Sequence, residues 1–291
     1  VIVGQKHHQY LPLLAGLLIA SFTGCGTSKL SSSPAPRDAL GEALDRSRQS
    51  GEPVALLIVE TSRGNEDRQV LEWFEAIAAK RPGIAAAVLN IDVSRDRALS
   101  LPYHGLAAPT LVCLSPAGII ISRDEGVASD TLIAERLDHA VRHAAEVDTQ
   151  FAELKKAAIN VPGRMALAEF LIAQENAREA IAPLKAVADD EKADLATRVH
   201  AWVEMGRAHL WIGEPEKGRY ASIRLADTLG PKTADAIAGC NLIRGIQDTN
   251  AKRFGRARDE FELAISSAPT SAYAREASVR LAQLPPREAP R

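Results

Sequence analysis

The segment ALLIVETSRGNEDRQVLEWFEAI, Ala55 to Ile77, places a polar loop between an apolar run and an amphipathic helix. A helix N-terminus offers unpaired N–H groups and a favourable dipole, so a thiol there is activated and an anion is received. The loop consists of Thr61, Ser62, Arg63, Gly64 and Asn65. It holds hydroxyls and no thiol, so it has neither the nucleophile nor the resolving partner of disulfide exchange. Cys113 sits between Val112 and Leu114 in another apolar run, where a free thiol behaves as a small buried hydrophobe. Ser62 and His104 could share an edge, but no orienting acid or oxyanion hole accompanies them, and His104 reads as a loop-surface histidine.

The surrounding elements follow from patterning. Asp38 is placed to cap a helix with Leu40, Ala43 and Leu44 on one face, stopped by Gly51 and Pro53. Val54 to Val59 is an unbroken apolar run, expected as a strand buried on both faces. The helix after the loop carries Glu66 and Asp67 in its first turn, buries Val70, Phe74 and Ile77, and ends at Pro82-Gly83. A second buried strand is expected over Ile84 to Ile91, closing on Asp92. After a short helical piece, Thr110 to Leu114 and Ile119 to Ser122 form a hairpin through Ser115-Pro116-Ala117-Gly118. Ser129 or Asp130 then caps a helix with Leu132, Ile133, Leu137 and Val141 inward.

The order βα, βα, ββα over residues 38–146 resembles thioredoxin. The segment NIDVSRDRALSLPYHGLAAPTLVCLSPAGIIISRDEG carries the likeness, with Tyr103 six residues before Pro109 and Gly126 beyond the hairpin. The resemblance implies that Pro109 is the family's cis-proline. It aligns Ser62, Arg63, Gly64 and Asn65 with the Cys-x-x-Cys position, and Leu56 with the buried acid that shuttles protons. Thiol oxidoreductase activity is therefore not expected. The loop would serve as a structural cap and contact surface, with Ser62 or Asn65 satisfying helix N–H groups.

Residues 150–285 show only alanine-rich helical periodicity. Ala180, Gly218 and Ala257 recur at spacings of 38 and 39, and Gly206 and Gly245 each precede the last two by twelve. GRARDEFELAISSAP, with Ala257, Phe261, Ala264 and Pro269, resembles a tetratricopeptide repeat, a helical hairpin of about 34 residues. An unrelated α-bundle is the alternative. The resemblance implies a concave wall built from Met165, Glu169, Ile172, Val203, Arg207, Leu210, Trp211, Leu242, Ile246 and Asn250, suited to apolar segments or helices of other proteins. Trp211 could equally pack between hairpins. Residues 271–284 would form a capping helix, and residues 286–291 a disordered tail.

At the N-terminus, Lys6, His7 and His8 precede LPLLAGLLIASF, an apolar stretch of signal-peptide length and shorter than the about 20 residues that span a bilayer. FTGC follows, and resembles a bacterial lipobox with Cys25 as the lipidated residue. An ordinary secretory signal with an incidental cysteine is the alternative. Residues 1–25 are thus expected as a lipoprotein signal peptide, and the Ser/Pro-rich residues 26–37 as a tether. Net charge is -2, with 35 basic and 37 acidic residues, which gives no electrostatic case for nucleic acid.

The combined expectation is an α/β thioredoxin-like domain followed by an all-α repeat domain, held on a membrane of the bacterial cell envelope and facing the periplasm or exterior. The two halves together resemble thioredoxin-like co-chaperones that have lost the redox pair. A non-catalytic holdase for client polypeptides follows, with no cofactor and no metal. A scaffold lipoprotein of an envelope assembly complex is one alternative, suggested by APTSAYAREASVRLAQL, Ala268 to Leu284. An enzyme with a non-thiol site near Ser62, His104 and Pro109 is the other.

Overall fold

The computed structural model describes residues 38–103 and 108–286. The signal segment with Cys25, the tether, His104 and the tail from residue 287 lie outside the described residues.

Six consecutive apolar residues make β1 (Val54–Val59) the centre of a four-stranded mixed sheet. The strand order is β2-β1-β3-β4. β2 (Ala85–Asn90) runs parallel to β1 and is followed by the short α3 (Ser94–Ser100), while β3 (Thr110–Leu114) and β4 (Ile120–Glu125) complete the sheet antiparallel. Alternation sends Val54, Leu56 and Ile58 to a core shared with α1 (Ala39–Ser50). It sends Ala55, Leu57 and Val59 to a second core with α2 (Asn65–Ala78) and α4 (Asp130–Ala157). Helices on both faces explain why β1 is apolar throughout rather than alternating.

Local signals fix the ends. Asp38 accepts a hydrogen bond from the Gly41 amide, and Gly51 closes α1 in the left-handed region at φ 76°. Ser129, rather than Asp130, caps α4 by accepting from the Leu132 amide. β4 runs further than the hydrophobic pattern indicated, to Glu125, because Arg123 and Asp124 pair along β3 with their charges met by Glu175 and Arg136. Val141 is 49% exposed, and Ala140 takes the inward position instead.

α4 continues to Ala157, through the expected break between residues 146 and 150, so a single helix belongs to both halves. The helical half consists of α5 (Val161–Ala173), α6 (Ala177–Ala188), α7 (Leu195–Trp211), α8 (Pro215–Leu229), α9 (Ala234–Asn250), α10 (Phe254–Ser267) and α11 (Ala272–Gln283). Each packs on the next. Between α5 and α6, α7 and α8, and α9 and α10, the chain makes the same turn. Glu175, Gly213 and Lys252 occupy the left-handed region, at φ 58°, 75° and 57°. The following amides of Asn176, Glu214 and Arg253 donate to the carbonyls of Leu171, His209 and Asp248, at 2.7, 2.8 and 2.8 Å. This is a Schellman closure repeated three times. Each left-handed residue stands five positions before Ala180, Gly218 or Ala257, so one period of 38 or 39 residues governs both the turns and the small-residue contacts.

The small residues mark close helix crossings. A Cβ added at Gly245 would meet Phe261 Cε1 at 2.3 Å, and one at Gly218 would meet Leu210 Cδ2 at 2.6 Å. Phe261, Leu184 and Leu225 are buried in the helical core, each stabilising by about 1.5–3 kcal/mol.

The α5–α6 turn covers the β4 edge. Arg123 Nε donates to Glu175 Oε2 at 2.6 Å, the Ile120 amide donates to Asn176 Oδ1 at 3.4 Å, and Ile119 joins the helical core. The unpaired edge of an antiparallel strand is thereby protected. No helix among the described residues is long and apolar enough to cross a membrane.

Candidate functional site

The loop after β1 folds as a short 3-10 turn, Thr61–Arg63, followed by Gly64 at φ 130°. That backbone conformation favours glycine and turns the chain into α2. Neither Ser62 nor Asn65 caps α2, contrary to the expectation from sequence: the helix has no side-chain cap. Instead the loop is tied sideways to the end of β2. The Ser62 amide donates to Asp92 Oδ2 at 2.8 Å, and its hydroxyl donates to Asp92 Oδ1 at 2.6 Å. The Thr61 hydroxyl donates to Asp92 Oδ2 at 3.1 Å, while Asn90 Nδ2 donates to Thr61 Oγ1 at 2.8 Å. The Ser62 hydroxyl, and after it the Ser62 amide, hold the Asp92 carboxyl below the usual carboxylate range. Buried Asp67 accepts from the Glu60 amide at 2.6 Å, fixing the loop from the other side.

A serine hydroxyl donating to a carboxylate is oriented, but a carboxylate with a depressed pKa is a poor base for it. Leu56 is fully buried in β1, with no acid in its place. Cys113 is fully buried in β3, its Sγ 3.7 Å from the Arg136 carbonyl, and burial pushes its thiol up to about 12. At neutral pH such a group is a thiol, not a thiolate.

Beside this loop the Ala108–Pro109 peptide is cis. The Pro109 carbonyl accepts from the Gly126 and Val127 amides at 2.8 and 3.3 Å. Pro109, Val70, Trp73 and Val127 border a hollow of about 390 Å³, with Glu66 on its rim.

The helical half brings some of the expected wall residues together and separates others. Arg207, Leu210 and Trp211 of α7 and Ile246 and Asn250 of α9 surround one hollow of about 310 Å³. Arg280 of α11 joins them; only its place four residues after Glu276, the spacing of an ion pair on one helix face, signals it in the sequence. Val203 and Leu242 are 0% exposed and belong to the core, not to a wall, because the α7–α9 contact closes over them. Met165 is also core. Ile172 packs against that core, and exposed Glu169 lies 3.9 Å from His200. These three take no part in the hollow. Trp211 has two roles: one part packs against Ala177, Ala208 and Ile212, and another borders the hollow.

The rim is neutralised. Arg207 Nη1 lies 2.8 Å from Glu204 Oε1 and 3.2 Å from Glu276 Oε2, and Arg280 Nε is 2.9 Å from Glu276 Oε1. The hollow therefore offers apolar surface and the Asn250 amide rather than uncompensated charge. Among the described residues, no group of three or more His, Cys, Asp or Glu side chains is arranged to hold a metal ion. A scan against protein-family models finds no match, and a search of curated proteins finds none either.

Proposed function

We propose that this chain is a non-catalytic protein-binding module, tethered to a membrane of the bacterial envelope through lipidated Cys25, which holds client polypeptides in the groove of its helical half. In this reading the sheet half has a thioredoxin-like fold without the redox pair, and the helical hairpins are tetratricopeptide-like repeats. The observation that carries it is the hollow between α7 and α9. Five residues of the expected binding wall, Arg207, Leu210, Trp211, Ile246 and Asn250, line one concavity, three of them apolar. Partly covered aromatics set in such concavities tend to dominate binding energy. The Ser62–Asp92 tie supports the non-catalytic part, because it engages the loop's hydroxyl in holding the fold.

The test is crosslinking in cells from a photoreactive residue at Asn250, an exposed position on the rim. Many polypeptides captured in unfolded form support the holdase reading. One stoichiometric folded partner replaces it with a scaffold, and no capture from this position, against capture from a surface site elsewhere, removes the groove from the account.

A further inference from the structure

We propose that a second hollow, between α8, α9 and α10, binds a phosphate-bearing anion. It has a volume of about 440 Å³. Arg219 of α8, Arg244 of α9 and Arg256 of α10 converge on it from three helices. Among the described residues none of the three is in an ion pair. A fourth guanidinium, Arg253, is committed to Asp248, with Nε 2.7 Å from Oδ1, and that pair is neutral.

Single unpaired arginines on a surface are ordinary solvated groups. Here four arginines against Glu216, Asp248 and Glu260 leave one concavity net positive, and a multivalent anion offsets that charge while collecting hydrogen bonds from several directions. A carboxylate satisfies one guanidinium fork, whereas the oxygens of a phosphate reach several, which favours the phosphate class. The opposing carboxylates are Glu216 and Glu260. Glu260 turns Oε2 into the interior with no hydrogen-bond partner, and burial raises its pKa despite Arg244 nearby, with Asp248 and Asp259 adding to the rise. A raised pKa makes Glu260 easier to protonate beside a bound anion. The anion could be a soluble phosphate compound or a phospholipid headgroup, and both present the same chemistry to the arginines.

Calorimetry with inorganic pyrophosphate in chloride-matched buffer tests the soluble arm. Flotation with phosphatidylcholine vesicles, with and without phosphatidylglycerol, tests the headgroup arm; an acyl anchor contributes equally to both compositions, so their difference is the readout. The double variant Arg219→Gln/Arg256→Gln is compared with Arg178→Gln/Arg224→Gln, which removes the same charge from exposed positions that do not line the hollow. The expected result is saturable binding in at least one arm, weakened about tenfold or more in the first variant and unchanged in the second. Circular dichroism melts verify that both variants fold. Binding in neither arm, or equal weakening by both variants, overturns the proposal.

Discussion

Ser62 and Asp92 are joined twice, the Ser62 amide and hydroxyl each donating to a different oxygen of one carboxylate, so the loop after β1 is anchored to the end of β2 across thirty residues of sequence. The sign of the resulting pH dependence is fixed. The folded pKa of Asp92 lies below its ordinary value of 3.8, so its contribution to stability is present above that value and is lost as pH falls through the folded pKa. Asp92→Asn removes the acceptor. Melting temperature should drop at neutral pH, and the wild-type and variant curves should converge as pH falls from 3.8 through the lower folded pKa. Curves that stay parallel through the acid range would show that the tie contributes nothing.

Cys113 and Cys240 are both buried, and burial raises both thiols, Cys113 to about 12. Neither should react with a thiol reagent at pH 8 in the native protein, and both should react after denaturation. Insulin reduction in the presence of a reductant should match the blank. Turnover that disappears in Cys113→Ala would mean that this strand opens far enough to expose its sulfur.

The helical hairpins make opposite predictions at a crossing and at a turn. Gly245→Ala should destabilise by about 1–3 kcal/mol, because the new methyl meets the Phe261 ring in a closed crossing. Lys252→Gly should stabilise by about 0.5–1 kcal/mol, since a left-handed lysine at φ 57° is strained and the exposed side chain makes no ion pair among the described residues. Urea melts of the two variants measure both signs. The gain at Lys252 is the sharper test, because few surface substitutions stabilise at all.

What the sequence made legible was whatever has a local cause. β1 follows from an apolar run and α1 from Asp38 and Gly51. The three hairpins were visible through Ala180, Gly218 and Ala257, where crossing helices leave no room for larger groups. Periodicity identifies the inward face of α7 and α9, but it cannot separate core from wall on that face. Val203 and Leu242 therefore share one expected face with Leu210 and Ile246. The length of α4 is not legible, because a continuing helix and two helices with a short joint share one periodicity when no glycine or proline intervenes. The Arg123–Glu175 pair is set by tertiary packing, which leaves no local pattern, and the left-handed Glu175 and Lys252 are hidden because neither is the glycine that ordinarily marks such a closure.

The proposed anchor has its own test, independent of the proposed groove. Cys25→Ser should release the protein from the membrane fraction or leave an unprocessed precursor, seen as slower migration on a gel. Two acyl chains hold a protein stably where one is marginal, so the loss should be large. A correctly cleaved Cys25→Ser protein retained normally on the membrane would refute the lipidation reading.

Trp211 divides its surface between the Ala177, Ala208 and Ile212 contacts and the hollow, so a single variant mixes two effects. Trp211→Ala should weaken capture by about 2 kcal/mol and also lower the melting temperature. Asn250→Arg separates them. Asn250 is exposed at the end of α9, and a long side chain there obstructs the hollow without entering a packed crossing. The expected pair of results is impaired capture in both variants, with a native melt only for Asn250→Arg. If Asn250→Arg captures clients as well as wild type while Trp211→Ala does not, then Trp211 acts through the core, and the α7–α9 hollow is not where partners bind.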